Sequence, residues 1–317
     1  MTVFNEKEYL IGTAEYGANF WNAMRGIPHA YDKIYGGANG ITGGYALPSG
    51  SNEKLQKAIT HESLFRSMAT VIKAYNGASR IFAKDCSDIA AWVPEGGSIP
   101  LQDAVNDFTR YAVDSHKLAV FVKLDDDFVH DAAFSLEDYL TERLAKNLAK
   151  SEDKGFVLGT GEHMPVGILD DTAGAKTGVT TSALCFDDVL RLYHSLDKEH
   201  RKSAVWLMND ETALTLRMVK DSAGNYLWNP SDNTILGKPV VISYDMPSVG
   251  AGAKPIVFGD FSYYWIIDRS PVSIQALKEL FVTLDQVGYL ATEFLDGKLI
   301  RRDALKALKI SEAEPNG

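Results

Sequence analysis

An α+β chain with protruding parts is the fold class that three observations predict. Residues 136–154 repeat a leucine at every fourth position, which makes one apolar stripe on a helix roughly 30 Å long. Strand-like alternation recurs on both sides of that helix, over residues 80–124 and again over 204–302. The glycine-rich first 50 residues and a long excursion at 79–124 are poor material for a core of their own.

Residues 1–50 read as an extended arm with one helix. Residues 6–25 supply the helix, with Tyr9, Tyr16, Phe20 and Trp21 as its bulky groups, and seven glycine or proline positions follow, from Gly26 to Gly44. Residues 51–78 open a folded body: Ser51 and Asn52 can cap a helix through Thr60, and 63–73 reads as helix passing into strand. Over 79–124, Pro94, Gly96, Gly97 and Pro100 exclude a long helix. Phe108, Arg110, Ala112 and Asp114 alternate on one side, as do Leu118, Val120, Val122 and Leu124, so a two-stranded hairpin with a flexible tip is expected. Such a hairpin is marginal alone and needs another chain to lie on.

Residues 125–180 hold the spine helix, 136–154. Ser135 and Asp138 stand at capping-box spacing, Leu136, Leu140, Leu144 and Leu148 form the stripe, and Gly155 and Gly159 are the expected stop. Residues 181–277 read as a compact α/β unit: helices at 186–196 and 211–219, the second capped by Asn209 and Asp210, and strands at 204–208, 239–243, 256–258 and 263–267. Residues 278–317 read as a β segment and tail. Asp296-Gly297 is taken as a hairpin turn between 291–295 and 298–302, and 303–309 as a short closing helix.

Composition excludes several classes. The net charge of −10 argues against a dedicated DNA-binding protein, which would carry a basic face. Cys86 and Cys185 form no CxxC pair or metal cluster and read as reduced, partly buried thiols. The first ten residues lack a secretory pattern and no apolar run spans a membrane, so the expectation is a protein that is soluble and intracellular when made. Gly159-Thr160-Gly161 lacks the Lys-Ser/Thr of a phosphate loop and follows a helix, so it reads as a tight connector. Asp125, Asp126 and Asp127, with Asp131, lack calcium-loop spacing and read as a solvated acidic turn. His116, His130, His163, His194 and His200 are scattered, with neither HExxH nor GxSxG present. No catalytic, cofactor-binding or metal-binding residue is assigned, and the chain is not expected to be an enzyme.

Several motifs, in one order over more than 200 residues, carry a resemblance. They are Gly43-Gly44-Tyr45-Ala46-Leu47-Pro48, Ala91-Trp92-Val93-Pro94-Glu95-Gly96, Leu158-Gly159-Thr160-Gly161 with Pro165-Val166-Gly167-Ile168-Leu169, Tyr226-Leu227-Trp228-Asn229-Pro230, Leu236-Gly237-Lys238-Pro239-Val240 with Asp245-Met246-Pro247, and Phe258-Gly259-Asp260-Phe261. In these the chain resembles the major capsid proteins of tailed bacteriophages with the HK97 fold. The resemblance implies an N-terminal arm, an extended loop lying across a neighbouring subunit, a peripheral domain built on the spine helix, and an axial domain meeting at five- and six-fold centres. It implies a structural protein of the virion, assembled in the bacterial cytoplasm from pentamers and hexamers into an icosahedral shell that encloses double-stranded DNA without binding it specifically. The implied partners are other copies of the chain, a portal protein, a scaffolding protein or domain, and a prohead protease. Only about forty residues precede Gly43, so scaffolding is expected from a separate protein or from a segment already removed.

Phe20, Trp21, Trp92, Glu95, Phe108, Arg110, Arg301 and Arg302 are the candidate subunit-interface residues, with Trp92 as an anchor, because buried aromatics dominate interface energies. Trp228 and Trp265 read as packing groups. Some members of the family link a loop lysine to an asparagine of a neighbour's peripheral domain. Residues 88–115 contain no lysine and 279–302 no asparagine, so a shell without covalent crosslinks is expected. The alternatives are an encapsulin-type nanocompartment shell, separable by genome context, and a soluble α/β enzyme, which would need a convergent polar constellation.

Overall fold

The computed structural model describes residues 10–38, 43–75, 80–84, 108–131, 134–228 and 232–312. Helices α1 (Ala14–Met24) and α2 (Ala30–Ile34) precede β1 (Tyr45–Ala46), α3 (Ser49–Glu62), α4 (Leu64–Met68) and β2 (Thr70–Lys73). Strands β3 (Arg80–Lys84), β4 (Phe108–Ala112) and β5 (His116–Asp125) lead to α5 (Asp126–His130) and the long α6 (Leu136–Leu158). Then come β6 (Lys176–Thr181), α7 (Phe186–Ser195), α8 (Lys198–Arg201), β7 (Val205–Met208), α9 (Asp210–Arg217), β8 (Thr234–Ile235), β9 (Lys238–Ile242) and β10 (Ile256–Gly259). The chain ends in β11 (Tyr264–Asp268), β12 (Ser273–Leu277), β13 (Gln286–Leu299) and β14 (Leu305–Ile310).

Two six-stranded sheets organise these elements. In the first, β13 is the shared strand. One of its edges takes β12 and then β11, end to end, and the other takes β5 over ten residue pairs from Gln286↔Asp125 to Leu295↔His116. The second sheet runs β6-β14-β10-β7-β9-β8 and carries α7 and α9. Helix α6 serves both halves. Its Leu136, Leu140, Leu144 and Leu148 are buried in the first core, and Phe156 and Val157 are buried in a second core with Phe65, Tyr264 and Leu305. Ser135 caps it by accepting the Asp138 N–H.

The structure departs from the sequence reading in six places. Helix α3 starts ahead of its expected caps, so Ser51 and Asn52 lie inside it and Pro48 holds the cap position. Helix α6 runs through Gly155 and stops at Gly159, where a Cβ would collide with the Pro165 and Gly155 carbonyl oxygens. The expected extended arm is instead docked over residues 10–38. Tyr16, Phe20, Ala23 and Met24 recur at helical spacing, and that stripe is buried in the chain's own first core. Tyr16 Oη donates to the Ala46 carbonyl at 2.7 Å and Arg25 donates to the carbonyls of Val129 and Phe134, which fixes both ends of α1.

The hairpin has a different partner from the one expected. β4 pairs with β3, and β5 belongs to the main sheet against β13. Asp296-Gly297 is not a turn but sits inside continuous β13, where Gly297 faces Tyr264 and Phe156 at a distance no Cβ would tolerate. Residues 305–310 form strand rather than helix. Their Leu, Ala and Lys favour helix locally, but β14 is enclosed between β6 and β10, and burial on both faces overrides that preference. The two halves therefore interleave along the chain: β11 and β12 complete the first sheet, and β14 returns to the second.

Candidate assembly surfaces and the buried charge clusters

The β3–β4 ribbon is a two-stranded sheet of five residue pairs, Arg80↔Ala112 to Lys84↔Phe108. It is tied to the body at its base. Ile81 and Val113 are buried with Ala74 and Ile267, and Tyr111 Oη donates to the Ile300 carbonyl at 2.6 Å. Further out, Phe82 is 56% exposed and the Arg110 guanidinium lies 5.8 Å from its ring centre.

Asp296 holds that base in place. Its side chain is fully buried, and its oxygens accept the Asp114 and Gly297 N–H groups, each at 2.8 Å. His116 Nε2 stands 3.6 Å away and Lys298 Nζ 3.3 Å. A buried carboxylate is tolerable only with such donors around it. Lys298 also donates to the Ala112 carbonyl and to Asp114. Burial opposes the charge of Lys298, but Asp114 and Asp296 outweigh it and hold its pKa above the ordinary lysine value. The salt-bridge hydrogen bond from Lys298 in turn lowers that of Asp114.

A second cluster joins α4, α6, β11 and β13. The Arg66 side chain is 1% exposed. Its Nε and Nη2 donate to the two Glu152 oxygens at 2.7 and 2.8 Å, and Nη1 and Nη2 donate to the two Asp268 oxygens at 3.2 and 2.9 Å. Nη1 also donates to Gln56 Oε1 at 3.3 Å. Desolvation works against the guanidinium charge, and Glu152 and Asp268 overcome it, so its pKa stays well above the usual arginine value. Glu293 is buried against Glu152. Next on α6, Asp153 accepts from Ser63 Oγ and from the Leu64 and Phe65 N–H groups, capping α4, while desolvation raises its pKa. The Tyr75 hydroxyl is pushed up to about 12 by burial and by Asp268.

The residues expected at interfaces do not converge. Phe20 is corrected: it is fully buried in its own chain, where the α1 stripe needs it. Trp21 is half-buried, and its indole N–H donates to Ser51 Oγ at 3.2 Å. Trp92 and Glu95 lie outside the described residues. Phe108 opens β4 opposite Lys84, and Arg110 is exposed on the same strand. Arg301 is half-buried in the link between β13 and β14. Arg302 is half-buried and donates to the Gly174 and Asp171 carbonyls at 2.8 and 2.9 Å, binding the connector before β6.

Sequence reasoning missed the Arg66 cluster, although a signal was present. Glu152 occupies the next slot of the leucine stripe after Leu148, and Glu293 falls on the apolar alternation of Tyr289, Ala291 and Leu295. An acid in an apolar slot indicates a buried partner. Large apolar groups are left outside as well: Leu214 and Met218 at the end of α9, Tyr226 and Leu227 beyond it, and Leu280, Val282 and Leu284 in the turn before β13. Exposed apolar groups gathered in this way are characteristic of surfaces that other chains cover.

A family model described as the phage capsid family matches residues 43–310. Among solved structures, the capsid of a native GTA particle shares 27% identity at a TM-score of 0.64, covering 78% of this chain and 89% of the other. The capsid of an empty GTA particle shares 25% identity at 0.62, covering 79% and 90%. A structure of Microbacterium phage Oxtober96 shares the fold at 14% identity and a TM-score of 0.56, covering 79% and 91%. No curated protein sequence matches the chain. With the match running from β1 through β14, and the same architecture recurring in solved capsids, the chain belongs to the phage capsid family and has an HK97-like α+β fold.

Proposed function

We propose that the chain is a major shell subunit, whose copies assemble through pentamers and hexamers into an icosahedral phage head around packaged double-stranded DNA. The observation that carries this reading is the β3–β4 ribbon, which is fastened at its base by Asp296 and Lys298 and presents Phe82 and Arg110 to solvent. An isolated two-stranded ribbon is marginal in water, and a sister subunit supplies the missing face. Trp21, Trp92, Glu95, Phe108, Arg110, Arg301 and Arg302 remain interface candidates, now joined by the exposed residues at α9 and before β13. Many such contacts, each modest, become strong when the shell closes. Portal, scaffolding and protease partners, and assembly in the host cytoplasm, belong to the same proposal.

The ribbon places one lysine, Lys84, on its outgoing strand, but residues 279–310 still contain no asparagine. The shell is therefore held without lysine–asparagine crosslinks, and SDS gels of mature particles should show single subunits rather than ladders. The main test is negative-stain microscopy and sedimentation of the expressed chain beside Trp92→Ala. The wild type should give capsomers or shells. The variant should give fewer particles at unchanged subunit stability, since losing an aromatic anchor weakens each contact by about 2 kcal/mol. Stable monomers from the wild type would refute the reading. A GTA-type particle is the second reading, favoured by the 27% and 25% identities to GTA capsids against 14% to the Microbacterium phage structure. Genome context separates the two.

A further inference from the structure

The Arg66 cluster contains more carboxylates than its cation can serve. An arginine has five N–H donors. All five of those on Arg66 are used, two on Glu152, two on Asp268 and one on Gln56. None is left for Glu293, whose side chain is buried and whose Oε1 is sealed from solvent with no N–H or O–H directed at it among the described residues. Its carboxyl instead lies beside that of Glu152, whose charge opposes its ionisation. Two ionised carboxylates pressed together in a buried site, with the adjacent arginine already fully engaged, are not a stable arrangement.

We propose that Glu293 is a proton-binding site: in the folded chain its carboxyl is neutral and donates its hydrogen to Glu152, and that proton completes the joint between α6, β11 and β13. The surroundings on every side fit this assignment. Helix α6 presents Glu152 and Asp153, and Asp153 is already occupied with Ser63, Leu64 and Phe65. Helix α4 presents Arg66, β11 presents Asp268, and Tyr75 follows β2. On β5, Leu118 lies directly opposite; of its ionisable neighbours, Lys117 is exposed and His116 stands 3.6 Å from Asp296. Burial and the Glu152 charge both push the Glu293 carboxyl well above its ordinary value, in agreement with the geometry.

The linkage has a definite sign. The folded chain holds a proton that the unfolded chain releases above the ordinary glutamate value. Stability therefore falls as pH rises from there to the folded-state value, by up to tenfold in the unfolding constant per pH unit. The joint is firm in acid and loosens toward alkaline pH, whether or not the subunit is part of a shell.

The test compares urea unfolding of the full-length wild type and Glu293→Gln between pH 5 and 9. Gln keeps a donor for Glu152 but cannot titrate. The wild type should lose stability more steeply than the variant, with the difference between them removing the contribution of His116 and every other shared group. Equal slopes would overturn the proposal. Should the variant fail to fold, the infrared carbonyl band of a protonated carboxyl in the wild type at pH 7 decides the matter: its presence supports the assignment and its absence overturns it. Restoration of alkaline stability by sodium or potassium alone, with that band missing, would assign the charge to a metal cation and also overturn it.

Discussion

Arg66→Met isolates the ionic joint. The substitution keeps most of the side-chain volume but removes five donors, four of them directed at two buried carboxylates within 3.2 Å. Glu152 is then left against Glu293 with no counter-charge, and Asp268 loses both its arginine contacts. Removing one partner of a buried ion pair costs about 3–5 kcal/mol, mostly because the surviving charge has no water to return to. Against a typical stability of about 5–15 kcal/mol, that is a large fraction of the total. At roughly 1.5 °C per kcal/mol for a chain of 317 residues, the thermal midpoint should drop by about 5–8 °C. Chemical denaturation of the unassembled subunit, followed by circular dichroism, measures the loss directly. The triple variant Arg66→Met, Glu152→Met, Asp268→Leu should recover most of it, because an apolar replacement of a whole ionic cluster is often neutral or better. A single variant within about 1 kcal/mol of wild type would show that the carboxylates are solvated or already protonated, and the reading of the joint would fail.

Two further substitutions test the corrected fold. Phe20→Ala should destabilise the isolated subunit by about 3–5 kcal/mol, measured by urea unfolding, because it empties a fully buried site in the first core; a change seen only in assembled particles would restore the extended-arm reading. Gly297→Ala should cost about 1–3 kcal/mol, since its Cβ would stand 2.5 Å from the Tyr264 hydroxyl, which donates to Val166 O. Adding Tyr264→Phe should recover part of that cost in a double-mutant cycle, whereas simple additivity would contradict the packing account.

Much of this protein is readable where the pattern is local. The leucine stripe of α6, the Asn209 cap of α9 and the alternation of the strands each follow from spacing within one segment, and the ordered motifs carry the resemblance to the capsid family. What remained hidden depended on which segment meets which. Asp296-Gly297 has the chemistry of a turn, but Asp114 and His116 reach that acid only across the sheet, and with Lys298 two places further along the same strand they make it part of a continuous β13. Residues 305–310 favour helix until β6 and β10 enclose them, and the α1 stripe could have met a sister chain as easily as its own α3 and β13. Arg66 and Glu152 are 86 positions apart, and Arg66 and Asp268 are 202 apart. Side-chain periodicity constrains the face each element must bury, but it carries no information about the partner. Only the closed core, where every buried charge and every Cβ must find room, decides the pairing.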